Sequence, residues 1–404
     1  MKQYDVIIIG GGAAGFFAAI NIADKNPDLI IAILERSGQV LSKVKVSGGG
    51  RCNVTHGEFD PKELVKNYPR GEKELIGPFH KFMTGDTIDW FQKRGVELKI
   101  EEDGRMFPKS DSSQSIIDCF LNEVHKYRIE VLKNNPVKNI SKNESYWEII
   151  TKEKAFSCNK ILVATGSNSK IWDILHGLGH TIVKPVPSLF TFNINDERIK
   201  NIPGVVVENV TIKVLDSYLS SFGPLLITHW GLSAPAILKL SAFGALEFAN
   251  RGYKFKIEIN FVNLPQDEVL HELRNYKQSL AKKTLFNSPQ FELPKRLWNE
   301  LVKASGIIQG TRWADLNKNQ LEDLSSQLTE ATFQVDGKST FKEEFVTAGG
   351  IDLKEINFKT FESKLHKDLY FAGEILNIDA VTGGFNFQNA WTGAFIAADA
   401  IALN

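Results

Sequence analysis

Val6-Ile7-Ile8-Ile9-Gly10-Gly11-Gly12-Ala13-Ala14-Gly15, near the start of the sequence, is the stretch whose reading decides the fold. Four consecutive branched apolar residues are what a parallel strand buried on both faces requires. The glycines keep the G-x-G-x-x-G spacing, and Phe16, Phe17, Ile20 and Ala23 continue at helical period. Gly10 permits the tight turn, Gly12 lets a pyrophosphate approach the backbone, and Gly15 lets helix and strand pack closely. Ala13 and Ala14 begin a helix whose unpaired N–H groups and positive dipole end face the phosphates. A second apolar run, Leu29 to Leu34, ends at Glu35. A carboxylate at that spacing accepts hydrogen bonds from an adenosine ribose and disfavours a 2′-phosphate, with Arg36 beside it. The expected fold class is therefore α/β, opening on a Rossmann-type βαβ unit that binds a dinucleotide.

The bulk composition sets bounds around this reading. The chain has 404 residues, enough for two or three domains, and its 43% hydrophobic and 24% charged residues are ordinary for a globular protein. Lys+Arg and Asp+Glu both number 48, so no global field draws the chain to nucleic acid or to an anionic membrane. Cys52, Cys119 and Cys158 include no C-x-x-C pair, which reads as three reduced thiols and excludes a redox dithiol. The first residues lack a signal-peptide pattern, and no uninterrupted apolar run reaches the roughly 18 residues of a membrane span. The expectation is a soluble, cytoplasmic protein with no membrane or nucleic-acid partner and no metal.

FAD and NAD share the opening fingerprint, and four further features favour FAD. Ser47-Gly48-Gly49-Gly50-Arg51-Cys52-Asn53 follows the ribose-binding strand; its consecutive glycines turn backbone donors toward a phosphate or flavin edge, and Arg51 adds charge. Ala164-Thr165-Gly166 ends a buried strand. Phe371-Ala372-Gly373-Glu374 is similar to the second FAD fingerprint, with glutamate where aspartate is usual, so Asp379 is a substitute contact. Thr382-Gly383-Gly384-Phe385-Asn386-Phe387-Gln388 precedes a final helix expected from about Asn389 to Leu403. Donors and a helix dipole aimed from there at the pyrimidine edge would stabilise reduced flavin.

On these blocks, together with Thr228-His229-Trp230-Gly231, the whole chain resembles a bacterial family of FAD flavoproteins that includes an aminoacetone oxidase and a bile-acid dehydro-steroid reductase. The resemblance implies a glutathione-reductase-like FAD domain with an inserted β-barrel and a small helical domain. The texture of the sequence agrees. Short alternating segments between Ser188 and Val262 read as antiparallel strands, and Gln266 to about Ala331 reads as charged helices. Pro294 suits a first helical position and Gly306 a helix stop. The domain bounds are 1–187 with 345–404 for FAD binding, 188–262 with 332–344 for the barrel, and 263–331 for the helices. Val137, which follows Pro136 on an extended segment, is either an adenine contact through its backbone or an ordinary strand residue.

The expected activity is two-electron hydride transfer between flavin N5 and a small molecule such as an amine or enone. No second G-x-G-x-x-G is present, which leaves room only for transient NAD(P)H. His229 is the candidate catalytic acid/base, ahead of a helix capped by Ser233 with Pro235 in its first turn; the alternative is a histidine that fixes a turn. Two other readings stay open: a non-catalytic flavin-binding or sensor protein, and FAD-dependent RNA modification, against which stand the neutral composition and the lack of a long basic helical region. Oligomeric state is left open.

Overall fold

The computed structural model describes residues 2–340 and 346–403; the expected boundary between 344 and 345 lies outside them. The chain divides into two compact units, Met1–Val186 with Val346–Asn404, and Pro187–Phe345.

The first unit is built on a parallel sheet. Strand β1 (Lys2–Ile9) leads through the glycine turn to helix α1 (Ala13–Lys25) and returns as β2 (Ile31–Leu34). Helix α2 (Ser113–Lys126), capped by the Ser112 side chain, precedes β3 (Glu130–Leu132). Strands β4 (Ala155–Val163) and β5 (Leu369–Phe371) complete the parallel order β3-β2-β1-β4-β5. That is the doubly wound order of dinucleotide-binding folds. Val6, Ile7 and Ile8 have no exposed surface, as a central strand covered on both faces demands. Helix α3 (Phe385–Leu403) packs along α1, and both helices bury small residues, including Ala18, Ala19, Ala394 and Ala397.

The second unit is an antiparallel sheet that closes on itself. Strand Val206–Val214 pairs with Ser220–Ile227 and with Lys254–Asn260, each alternating buried and exposed residues. The stretch from Ala331 to Asp336 bonds to one edge of the sheet. Beyond Gly337 (φ +111°), Lys338 and Ser339 bond to the opposite edge. One chain segment thus seals both edges, which removes them as sites of unwanted pairing. The helices Gln266–Ser279, Lys295–Ala304 and Lys318–Thr329 share one continuous core with the barrel, in which Trp298, Trp313 and Phe333 are fully buried. Pro294 sits one position earlier than expected, as the cap residue, and Gly306 (φ +70°) stops the helix. No helix among the described residues is long and apolar enough to cross a membrane.

Candidate functional site

In the first unit the carboxyl ends of β1, β2, β4 and β5 lie side by side, where open α/β sheets bind their ligands. A Cβ on Gly10 (φ +116°) would stand 2.3 Å from the Ala164 carbonyl oxygen, and one on Gly15 would stand 2.0 Å from the Gly10 oxygen. These two glycines are required by the protein's own packing. Gly12 differs: a Cβ there meets nothing within 4 Å, at an extended φ of −96°. Its bare backbone borders open space rather than protein. No side chain caps α1, so the N–H groups of Ala13, Ala14 and Gly15 lack acceptors within the helix.

Glu35 stands beside this turn. Its Oε2 accepts the Gly11 N–H at 2.9 Å, and its Oε1 accepts the Ser37 N–H and hydroxyl, each at 2.9 Å. Arg36 is exposed and points no bond at the turn. The segment ahead of Val137 runs along the Glu35 corner: the N–H of Asn135 donates to the Glu35 carbonyl at 2.8 Å. Val137 itself is buried and starts the strand Val137–Lys142. The Ala164 N–H donates to the Ile9 carbonyl at 2.8 Å, which holds Ala164-Thr165-Gly166 against the glycine turn. Among the described residues the buried Thr165 hydroxyl has no partner, nor has the side-chain amide of Asn389 on α3. Buried polar atoms of this kind normally have partners, so these two fit a polar ligand. Gly373 (φ +76°) approaches Ala14 across the turn, and Glu374 pairs with Lys43.

A second constellation joins the two other glycine segments. Gly49 (φ +67°) and Gly50 (φ +86°) form an open turn between Ser47 and Asn53. The Asn53 side chain bridges to the far loop: it donates to the carbonyls of Met106 and Thr55 and accepts the Gly384 N–H at 3.0 Å. A Cβ on Gly384 would lie 2.5 Å from the Thr55 carbonyl oxygen, so this glycine too is fixed by packing. Asn386 closes its own loop through the Ala380 backbone, accepting its N–H at 3.0 Å and donating to its carbonyl at 3.1 Å. His56, which sequence reasoning passed over, lies between the segments with Nδ1 3.1 Å from the Gly383 oxygen and its ring stacked on Phe385. Its signal in the sequence is only its place three residues beyond Asn53.

Several expected cofactor contacts are committed to protein partners. Arg51 donates to Glu101 at 2.6 Å and stacks over the Phe107 ring. Asp379 is fully buried in a two-pronged ion pair with Arg70. Gln388 has no exposed surface; its oxygen accepts the hydroxyls of Thr55 (2.6 Å) and Thr87 (3.0 Å), and its nitrogen donates to Thr392. The reason is that α3 begins at Phe385, a turn earlier than expected, which carries Gln388 into the helix interior. Cys52 is fully buried at φ +64°, and burial pushes its thiol up to about 12.

In the second unit, Thr228-His229-Trp230-Gly231 is the turn of a hairpin. The Thr228 N–H donates to the Gly231 carbonyl at 2.8 Å, and the short strand Gly231–Ser233 follows. His229 and Trp230 are exposed at its tip. The next helix, Pro235–Phe243, has Pro235 in its first turn as expected, but Ala234 and not Ser233 is its cap residue. Ser233 instead accepts the Thr191 hydroxyl at 3.0 Å.

The parallel sheet order, the packed glycine turn with its open mouth and the Glu35 carboxylate beside it define a Rossmann-type dinucleotide-binding fold. The chain belongs to the family described as HI0933-like protein Rossmann domain, which it matches over residues 4–400. It is 29% identical to the ribosomal RNA dihydrouridine synthase of Haemophilus influenzae, over 100% of both chains. It is 25% identical to the 3-dehydro-bile acid delta(4,6)-reductase of Clostridium scindens, over 98% of both. Among solved structures, the 3-ketosteroid delta1-dehydrogenase of Sterolibacterium denitrificans matches 100% of both chains with a TM-score of 0.53 at 11% identity, a likeness of fold.

Proposed function

We propose that this chain is a reductase that saturates a carbon–carbon double bond conjugated to a carbonyl, and that its substrate is a uracil ring in RNA. The observation that carries this reading is the end-to-end correspondence, at 29% identity, with a ribosomal RNA dihydrouridine synthase. The name of the bile-acid relative also describes reduction of double bonds conjugated to a 3-oxo group. One chemistry therefore serves both: a hydride goes to the carbon β to the carbonyl and a proton to the α carbon. In uracil these are C6 and C5.

FAD in its reduced form supplies the hydride. Gly12 and the N–H groups that open α1 hold the pyrophosphate, and Glu35 accepts the ribose hydroxyls. Asn53 and His56 keep Gly383 and Gly384 in place, and Gln388 ties the first turn of α3 to Thr55. His229, exposed and without a hydrogen-bond partner among the described residues, is assigned the proton for the α carbon. A nicotinamide nucleotide, bound transiently, is the reductant that restores the cofactor.

The test is nucleoside mass spectrometry of ribosomal RNA from cells with and without the gene, followed by treatment of the deficient RNA with purified holoprotein and NAD(P)H. Loss of dihydrouridine on deletion and its return on treatment are expected. Unchanged dihydrouridine would defeat the RNA substrate. Reduction of a steroidal enone under the same conditions would then favour the small-molecule reading, which the bile-acid relative supports.

A further inference from the structure

The balanced total charge conceals a sharp asymmetry in the second unit. Between Leu273 and Lys318 there are nine basic residues and only three acidic ones. The compensating carboxylates lie outside this stretch, at Asp267, Glu268 and Glu272 before it and at Glu322, Asp323 and Glu330 after it. This is the local basic region that whole-chain neutrality disguises.

Folding gathers part of that charge. Lys282 and Lys283 follow the helix Gln266–Ser279 in a turn closed by the Lys283 N–H, which donates to the Leu280 carbonyl at 2.8 Å, and Arg312 lies on the antiparallel neighbour of the next residue, Thr284. Thr284 and Arg312 form a bridge, and the Trp313 N–H donates to the Lys283 carbonyl at 3.0 Å. The backbone beneath is rigid: Trp313 is fully buried, with its indole N–H donating to Ser288 at 2.8 Å. Lys282, Lys283 and Arg312 are all exposed, and none makes an ion pair or a side-chain hydrogen bond among the described residues. Within the same stretch, by contrast, Lys303 pairs with Glu300 and Lys318 with Glu322. The loop entering Arg312 carries Ile308, 76% exposed, and Gln309 at its tip.

Three unpaired cations on a braced ribbon, beside one projecting apolar residue, complement a polyanion. A membrane surface asks for a broad apolar face as well as charge, and Ile308 alone does not provide it. A nucleic-acid backbone asks for fixed cations with an apolar or polar side chain available to an unstacked base. We propose that the Lys282-Lys283/Arg312 ribbon of the second unit is an RNA-docking surface, contacting backbone phosphates while Ile308 and Gln309 meet bases. The proposal rests on the reading of RNA as substrate, and it adds where the RNA is held.

The experiment compares the wild-type holoprotein with the K282E/K283E/R312E variant. Fluorescence anisotropy is measured with a labelled ribosomal RNA hairpin across a salt series, alongside sedimentation with phosphatidylserine vesicles. Melting temperature and bound FAD check that the variant is folded. Losing three phosphate contacts should lower the slope of log affinity against log salt by about two to three and weaken binding at least about tenfold near 0.1 M salt. Equal slopes and affinities in a folded variant would overturn the proposal. So would a wild-type protein that binds vesicles and not RNA, or binds neither. If the ribbon proves necessary for RNA binding while dihydrouridine is unchanged in cells lacking the gene, the docking surface stands and the uracil-reduction reading falls.

Discussion

Substituting Gly12 and Gly15 one at a time separates what the glycine turn does for the fold from what it does for the cofactor. Gly12→Ala places a methyl group where nothing lies within 4 Å, at backbone angles open to any residue. The apoprotein should therefore keep its stability or gain about 0.4–1 kcal/mol from the stiffer unfolded chain. The same methyl group stands in the approach to the α1 N-terminus, where a diphosphate must come within hydrogen-bonding distance of the backbone. Forfeiting a hydrogen bond to a charged group costs about 1.5–3 kcal/mol, which is roughly a tenfold to hundredfold loss of FAD affinity. Gly15→Ala acts in the opposite order, because its Cβ would lie 2.0 Å from the Gly10 oxygen. Helix and strand must separate to admit it, at a cost of about 1–3 kcal/mol to the apoprotein itself. The assay is thermal melting of both apoproteins and FAD titration by fluorescence quenching. Normal FAD affinity in Gly12→Ala would refute the placement of the pyrophosphate, and an unperturbed Gly15→Ala apoprotein would refute the packing argument.

Three other outcomes follow from particular side chains. Cys52→Ala should leave flavin reduction intact, because a buried thiol raised to about 12 supplies no thiolate at neutral pH; loss of reduction with FAD still bound would revive a thiol mechanism. His229→Gln should keep FAD content and melting temperature while slowing substrate-driven turnover by about 10²-fold; normal turnover would return the residue to a structural role in its hairpin. Stability should fall as pH drops below 6.5, since burial holds fully buried His180 below that value, against the opposing pull of Glu355 at 2.7 Å, so the unfolded chain takes up a proton first. Glu355 is also held below 4.5: burial raises it, but the bonds from Thr181 and His180 outweigh that, so its contribution is lost at lower pH still. His180→Gln should flatten the melting profile between pH 7 and 5, and an equally steep profile would contradict this origin.

The parts of this protein that are legible in its sequence are those where one residue type answers one steric demand. Gly10 and Gly15 announce the turn because no other residue fits against Ala164 and Gly10. Glu35 is found by spacing because β2 must end where the turn needs a carboxylate. Side chains whose partners are distant in sequence are not legible in this way. Asp379 is claimed by Arg70, Arg51 by Glu101, and Gln388 by Thr55 and Thr87. Each is polar and sits in a suggestive motif, but only folding shows that its bonds are already made. The start of α3 at Phe385 is hidden for a related reason, since glycines up to Gly384 mask the first helical turn. The basic ribbon is missed because acidic residues elsewhere balance it in the total, while one backbone bridge, Thr284 to Arg312, concentrates it in space.

Whether one FAD is held without a covalent bond by the two ends of the sequence is decided by denaturing the purified protein and identifying what it releases. The purified protein should be yellow, with a flavin that passes wholly into the supernatant on heating or acidification and runs as FAD at close to one per chain. Release of NAD with no flavin, or a flavin that stays with the precipitated polypeptide, would contradict it.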